Sequence, residues 1–281
     1  MKPSVAIVAP GNMGAGLARA LGEHGIEVLT SLEGRSAATC ARAQTAGMRA
    51  VSLAGLTEAD LLLSVMPPAQ ALPFARQMAP LLEIASRKPL FVDCNAKSPQ
   101  TARELGAVLA SCGTPFADGA IIGLPPQPGR TGPHLYASGD DAKGLTQLAR
   151  YGLDIRVLEG PIGAAAALKM CFAGINKGLT LVASTMILAA TRSGAAPALL
   201  QELTESCPEV LGSLSRQVPD MLPKAYRWVA EMHEIAGFAG DDAAARQIYQ
   251  GAAELCERIA RDFAGERQES SALTGFFPAR R

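Results

Sequence analysis

The sequence predicts an α/β chain whose first half alternates strand and helix, followed by one long helix and an all-helical remainder. Three observations carry this. Short unbroken apolar runs, Val5–Ala9, Ile26–Ser31, Leu61–Met66 and Leu90–Cys94, are separated by helical patterns, as expected of strands covered on both faces. Residues 160–193 hold almost no charge over a stretch that would span roughly 45 Å as a helix. Beyond Gly194 only helical spacing remains, over 195–206, 209–218, 223–236 and 241–264, and the tail after Arg267 reads as loose. The domains are therefore placed at 1–160, 161–193 and 194–281.

The chain's 281 residues are 48% hydrophobic and its formal charges cancel, which suits a soluble protein with a substantial core and gives no footprint for nucleic acid. A membrane span is disfavoured, because Lys169, Asn176 and Lys177 interrupt the apolar run. The six cysteines have no Cys-x-x-Cys pair and the histidines are scattered, so no metal site is expected. Cys94 and Cys171 sit in apolar runs and read as buried and inert. With no leader-like N-terminus, the protein is read as cytoplasmic.

The first strand runs into Pro10-Gly11-Asn12-Met13-Gly14 and then a helical pattern. This is a dinucleotide fingerprint, Gly-x-Gly-x-x-Gly, with Ala9 in place of the first glycine. Gly11 allows approach of a pyrophosphate, Gly14 allows close helix–strand packing, and the helix amino end faces the anion. The first domain thus reads as a Rossmann domain. After the second strand come Ser31, Glu33, Arg35 and Ser36. Glu33 would suit the ribose hydroxyl of NAD, whereas Ser31 leaves room for a phosphate and Arg35 and Ser36 offer a cation and a hydroxyl, so NADP is favoured over NAD. Met66 and Pro67, Asn95 and Lys97 all follow strand ends on the same edge, where open α/β sheets bind ligands. The Gly/Pro-rich loop after Asp118, with Ile122 and Gly123, ends another strand on that scheme.

The order of these motifs resembles the β-hydroxyacid dehydrogenase superfamily, relatives of 6-phosphogluconate and 3-hydroxyisobutyrate dehydrogenases, over the whole chain. The resemblance implies two substrate loops at Asp93–Pro99 and Asp118–Leu124, and a lysine motif at Gly160–Phe172 opening an interdomain helix. It implies that Lys169 is the general acid or base of hydride transfer. Burial and the positive end of a helix would both lower the pKa of such an ammonium. Departures are visible. The Ser-Gly-Gly of the second loop is Ile122-Gly123-Leu124, the asparagine beside the lysine is Phe172 or Ala173, and no Lys-Asp pair matches near Glu231. Asn176, two turns beyond Lys169, and His233 remain candidate substrate contacts.

The expectation is an NADP-dependent oxidoreductase acting on a small carbonyl or alcohol, with a homodimer of interlocked C-terminal domains, because so small a helical half leaves apolar surface on the long helix. An imine reductase of the same architecture is the alternative within the class. A nucleotide-binding sensor without catalysis is the alternative outside it.

Overall fold

The computed structural model describes residues 2–127, 129 and 132–278. They form two compact units, Met1–Met170 and Cys171–Arg281, and the division falls inside one helix.

The first unit is an eight-stranded sheet in the order β3-β2-β1-β4-β5-β6-β7-β8. Its strands are β1 (Val5–Val8), β2 (Val28–Ser31), β3 (Arg49–Val51), β4 (Leu61–Ser64), β5 (Leu90–Asp93), β6 (Phe116–Ile122), β7 (His134–Ser138) and β8 (Asp154–Val157). Neighbouring strands are parallel except for β6 and β7, which pair antiparallel from Asp118↔Ser138 to Ile122↔His134. This is the Rossmann arrangement with a two-strand extension.

Strands β1, β2, β4 and β5 are buried along their whole length, which explains why they read as continuous apolar runs. Alternate residues serve opposite faces. Val5, Ile7, Leu61, Leu63 and Val92 pack with Leu17 and Leu21 of α1 (Asn12–Glu23). Ala6, Val8, Leu62 and Phe91 pack with Phe74 and Met78 of α3 (Ala71–Ile84) and with Leu105 and Leu109 of α4 (Pro99–Ser111). Ser36 caps α2 (Ala37–Thr45), and Ser98 caps α4 with Pro99 as its first residue.

The long helix, α5, runs 29 residues from Ala164 to Arg192, and Gly194 ends it at φ +71°. It is long and apolar enough to cross a membrane. Its second half packs among the helices that follow: Thr180 donates to Gln217, and Lys177 pairs with Glu231.

The second unit continues with α6 (Ala196–Ser206), α7 (Pro208–Met221), α8 (Ala225–Phe238), α9 (Ala243–Ala264) and α10 (Gln268–Phe276) around Val218, Met221, Met232, Cys256 and Ile259. Two expectations are corrected, and one strand was not foreseen. Over its described residues the tail is not loose: Asp262 accepts the amides of Glu269 and Ser270, capping α10, which buries Leu273 and Phe276. Cys171 is exposed. It stands with Phe172 and Ile175 on a part of α5 that the chain leaves uncovered. The edge strand β3 has no apolar run to betray it, since Arg49 and Ala50 are exposed.

Candidate functional site

The carboxyl ends of β1 and β4 lie side by side, and from them the chain leaves toward opposite ends of the sheet, β2 on one side and β5 on the other. This is the switch point at which open α/β sheets bind ligands. The turn Ala9–Gly11 connects β1 to α1, whose amino end opens at Gly11. A Cβ on Gly14 would stand 2.5 Å from the carbonyl oxygen of Ala9 and 3.3 Å from Ile7, so the turn and helix close only with glycine there. A Cβ on Gly11 meets nothing within 4 Å. The backbone at Gly11 is open to a bulky anion, as the fingerprint requires, and Ala9 does not obstruct it.

At the end of β2 the hydroxyls of Thr30 and Ser31 are buried without a partner among the described residues. Glu33 turns away from α1 and accepts the amide of Leu53 at 3.3 Å. Ser36 is occupied as the cap of α2 through Thr39, and Arg35 stands exposed beside it. Sequence reasoning missed Arg42. Its Nε donates to the Pro10 carbonyl at 3.3 Å and its Nη2 to Thr39 at 3.0 Å, which brings a guanidinium from the middle of α2 to the glycine turn. Together the open backbone, the helix amino end and Arg42 beside the turn fit the phosphates of a dinucleotide.

The first loop is placed differently from expectation. Asn95 accepts the amide of Met66 at 2.6 Å and donates to Ser64 at 2.9 Å and to both oxygens of Asp93. It rivets the ends of β4 and β5 together and fixes Met66 and Pro67 at the sheet edge; only 3% of it is exposed. Lys97, expected at the substrate, is 2% exposed and turns into the protein. Its ammonium lies 2.8 Å from Asp118 Oδ1 and 3.8 Å from Asp93 Oδ2, and donates to the carbonyls of Asp93 and Gly119. Once its amine is committed to two buried carboxylates, none of it remains for a ligand. Burial works against this cation, but Asp93 and Asp118 outweigh burial and hold its pKa above the ordinary lysine value. Burial likewise raises the Asp93 carboxyl, against the pull of Lys97 and Asn95.

Asp118 was legible only as the start of a loop, yet it organises the site. Its second oxygen accepts the amides of Gly163 and Ala166, each at 3.0 Å, and the Ser138 hydroxyl at 3.2 Å, while Ser138 accepts the amide of Ala165. The unsatisfied first amides of α5 are thereby capped from β6 and β7. One turn further on is Lys169. It is half-buried, and burial first, then the charge of Lys97, bring its pKa down to about 8. Cys94 is buried and pushed up to about 12, so it offers no thiolate.

The remaining candidates are scattered. Ile122 ends β6 and Gly123 follows at φ +127° against Pro133. Asn176 donates to the Phe172 carbonyl of its own helix, and His233 is exposed on α8. Lys177 pairs with Glu231 and lies 4.9 Å over the Trp228 ring. The described residues hold no cluster fit for a metal.

Residues 4–144 match the NAD binding domain of 6-phosphogluconate dehydrogenase, half of the chain. The chain belongs to the β-hydroxyacid dehydrogenase superfamily. Within these oxidoreductases, residues 190–259 match a helical domain of unknown function, DUF1932. A conserved protein of unknown function, described as structurally similar to 3-hydroxyacid dehydrogenases, is 28% identical with a TM-score of 0.76 over 92% of this chain and 98% of its own. The 3-hydroxyisobutyrate dehydrogenase of Mycobacterium tuberculosis is 20% identical, with a TM-score of 0.72 over 99% of this chain and 100% of its own. A Myxococcus stipitatus imine reductase variant in complex with NAD+ is 20% identical, with a TM-score of 0.61 over 98% and 99%.

Proposed function

We propose that this superfamily member is an NADP-dependent reductase or dehydrogenase that uses Lys169 as general acid or base on a carbonyl or alcohol group. The observation that carries the reading is the amine of Lys169. It is half-buried, one turn past a capped helix start, and has a pKa of about 8. An amine poised there is protonated in part at neutral pH and exchanges its proton readily, which general acid–base chemistry requires. When bound, the nicotinamide would supply or accept the hydride. The chain's own contributions are separate. Gly11 and the amino end of α1 receive the pyrophosphate, Asn95 fixes the Met66–Pro67 edge, and Lys169 gives a proton to the oxygen that gains charge or takes it back in reverse.

Preference for NADP rests on three features: Glu33 spent on Leu53, the unpartnered hydroxyl of Ser31, and Arg35 with Arg42 beside the turn. The substrate is a small molecule with an apolar body, since Ile122 and the 72% exposed Leu124 stand where a hydroxyl would hold a carboxylate. That loop also favours a second reading, reduction of an imine. We further infer a cytoplasmic homodimer. Phe172, Ile175, Leu179, Val182 and Met186 are 46–70% exposed and recur at three- and four-residue steps along α5, an apolar seam suited to a second copy.

Fluorescence titration with NADPH and NADH tests the cofactor. Tighter binding of NADPH, weakened selectively by Arg35→Ala, is expected; binding of neither nucleotide would overturn the oxidoreductase reading in favour of an interaction role.

A further inference from the structure

Lys97 is the least expected charge in the molecule. A lysine this deeply buried carries a desolvation cost that its two carboxylates largely offset, and a cluster of apolar side chains would serve stability as well. Its position suggests a different use. Asp118 divides its carboxylate between Lys97 on one oxygen and the first amides of α5 on the other. Ala166, one of those amides, lies three residues before Lys169, hence on the same side of the helix. Side chains on a helix lean toward its amino end, so the stem of Lys169 runs back over the turn that Asp118 and Ser138 cap.

We propose that Lys97 is a positioning residue for Lys169: through Asp118 it fixes the start of the helix that carries Lys169, and its buried charge acts on the proton that Lys169 holds. The groups that act on Lys169 are few. Lys97 opposes its charging, while Asp93 favours it. After burial, Lys97 is the largest of these influences, and it comes from a side chain that no solvent screens. Two lysines thus share one carboxylate-rich junction. Asp93 and Asp118 hold Lys97 charged, and its charge favours release of the proton from Lys169.

This inference rests on the reading of Lys169 as an acid–base group, and its test reads the proton directly, apart from turnover. The protein is labelled with lysine carrying carbon-13 at Cε and titrated by NMR, with the Lys169 signal assigned by its loss in Lys169→Ala. In the native protein its midpoint is expected near 8. Lys97→Arg keeps the charge and is expected to keep the midpoint. Lys97→Met is expected to raise it by at least about half a pH unit. Since that variant leaves two carboxylates buried without a cation, the double variant Lys97→Met/Asp118→Asn is measured as well; the amide oxygen still accepts the α5 amides, and the same rise is expected. A folded double variant, checked by circular dichroism, whose Lys169 midpoint is unchanged would overturn the proposal. A midpoint that rises while Lys169→Ala retains full turnover would uphold the coupling and refute the catalytic reading instead.

Discussion

Lys97 and Asp118 meet at 2.8 Å in the interior, and the oxygen of Asp118 that Lys97 leaves free holds the first turn of α5 through Gly163 and Ala166. The sheet, the first substrate-type loop and the helix of Lys169 therefore converge on one carboxylate. Asp118→Ala takes the nearer of two carboxylates from a buried ammonium and leaves two helix amides without their acceptor. A loss of about 3–5 kcal/mol is expected in urea unfolding, against a smaller loss for Asp118→Asn, which still accepts the amides.

The two glycines of the turn are expected to behave oppositely. Gly14→Ala forces a methyl to within 2.5 Å of the Ala9 carbonyl, where only backbone can yield, and costs about 1–3 kcal/mol of stability. Gly11→Val has open space and should fold with near-native stability, yet lose NADPH binding by at least about tenfold because the branch occupies the anion's approach. Thermal melts with and without NADPH distinguish the two.

Arg42 is expected to share the phosphate with Arg35. Arg42→Ala should weaken NADPH by about tenfold, in keeping with loss of a charge-assisted hydrogen bond, and leave NADH nearly unchanged. Equal weakening of both nucleotides would assign Arg42 to the turn's scaffold through Pro10.

Lys169 makes stability depend on pH in a fixed direction. Its folded pKa, about 8, lies below its ordinary 10.5, so the unfolded chain holds the proton more tightly. Relative to Lys169→Met, the native protein should lose stability as pH falls from 10.5 through 8, by up to about 3 kcal/mol, and show no further change below. A difference independent of pH would place the amine in open solvent.

The seam on α5 gives a test of assembly. Ile175→Asp and Val182→Asp each place a charge on a face that is 70% and 58% exposed in the single chain, so the fold should survive. If a second copy covers that face, sedimentation will show a dimer for the native protein and a monomer for the double variant. A native monomer at micromolar concentration would refute the dimer.

Much of the first unit was legible because its strands are buried on both faces and its glycines answer to backbone approach, both of which leave marks in sequence. The place of Lys169 near the start of an apolar helix was legible, while its role as acid or base came from the resemblance and stands as a proposal. Lys97 was misplaced for a physical reason: a lysine after a strand end reads as a ligand contact unless the partners that bury it are known, and Asp118 lies 21 residues away in the chain. Asn95 was found at the right edge, but its hydrogen bonds to Met66 and Ser64 were not foreseen, since such bonds leave no trace in residue type. Arg42 was hidden in the middle of a helix, and α10 was too short to show a period.

The most direct test of the central claim is the transfer of deuterium from NADPH labelled at C4 to a panel of ketones, aldehydes and imines, read by mass spectrometry for the native protein and Lys169→Ala. The account predicts label on a carbonyl or imine carbon with the native protein, and transfer slower by about 10²- to 10⁴-fold in the variant at unchanged NADPH affinity. Equal transfer by the two proteins, or label delivered to no member of the panel, would contradict it.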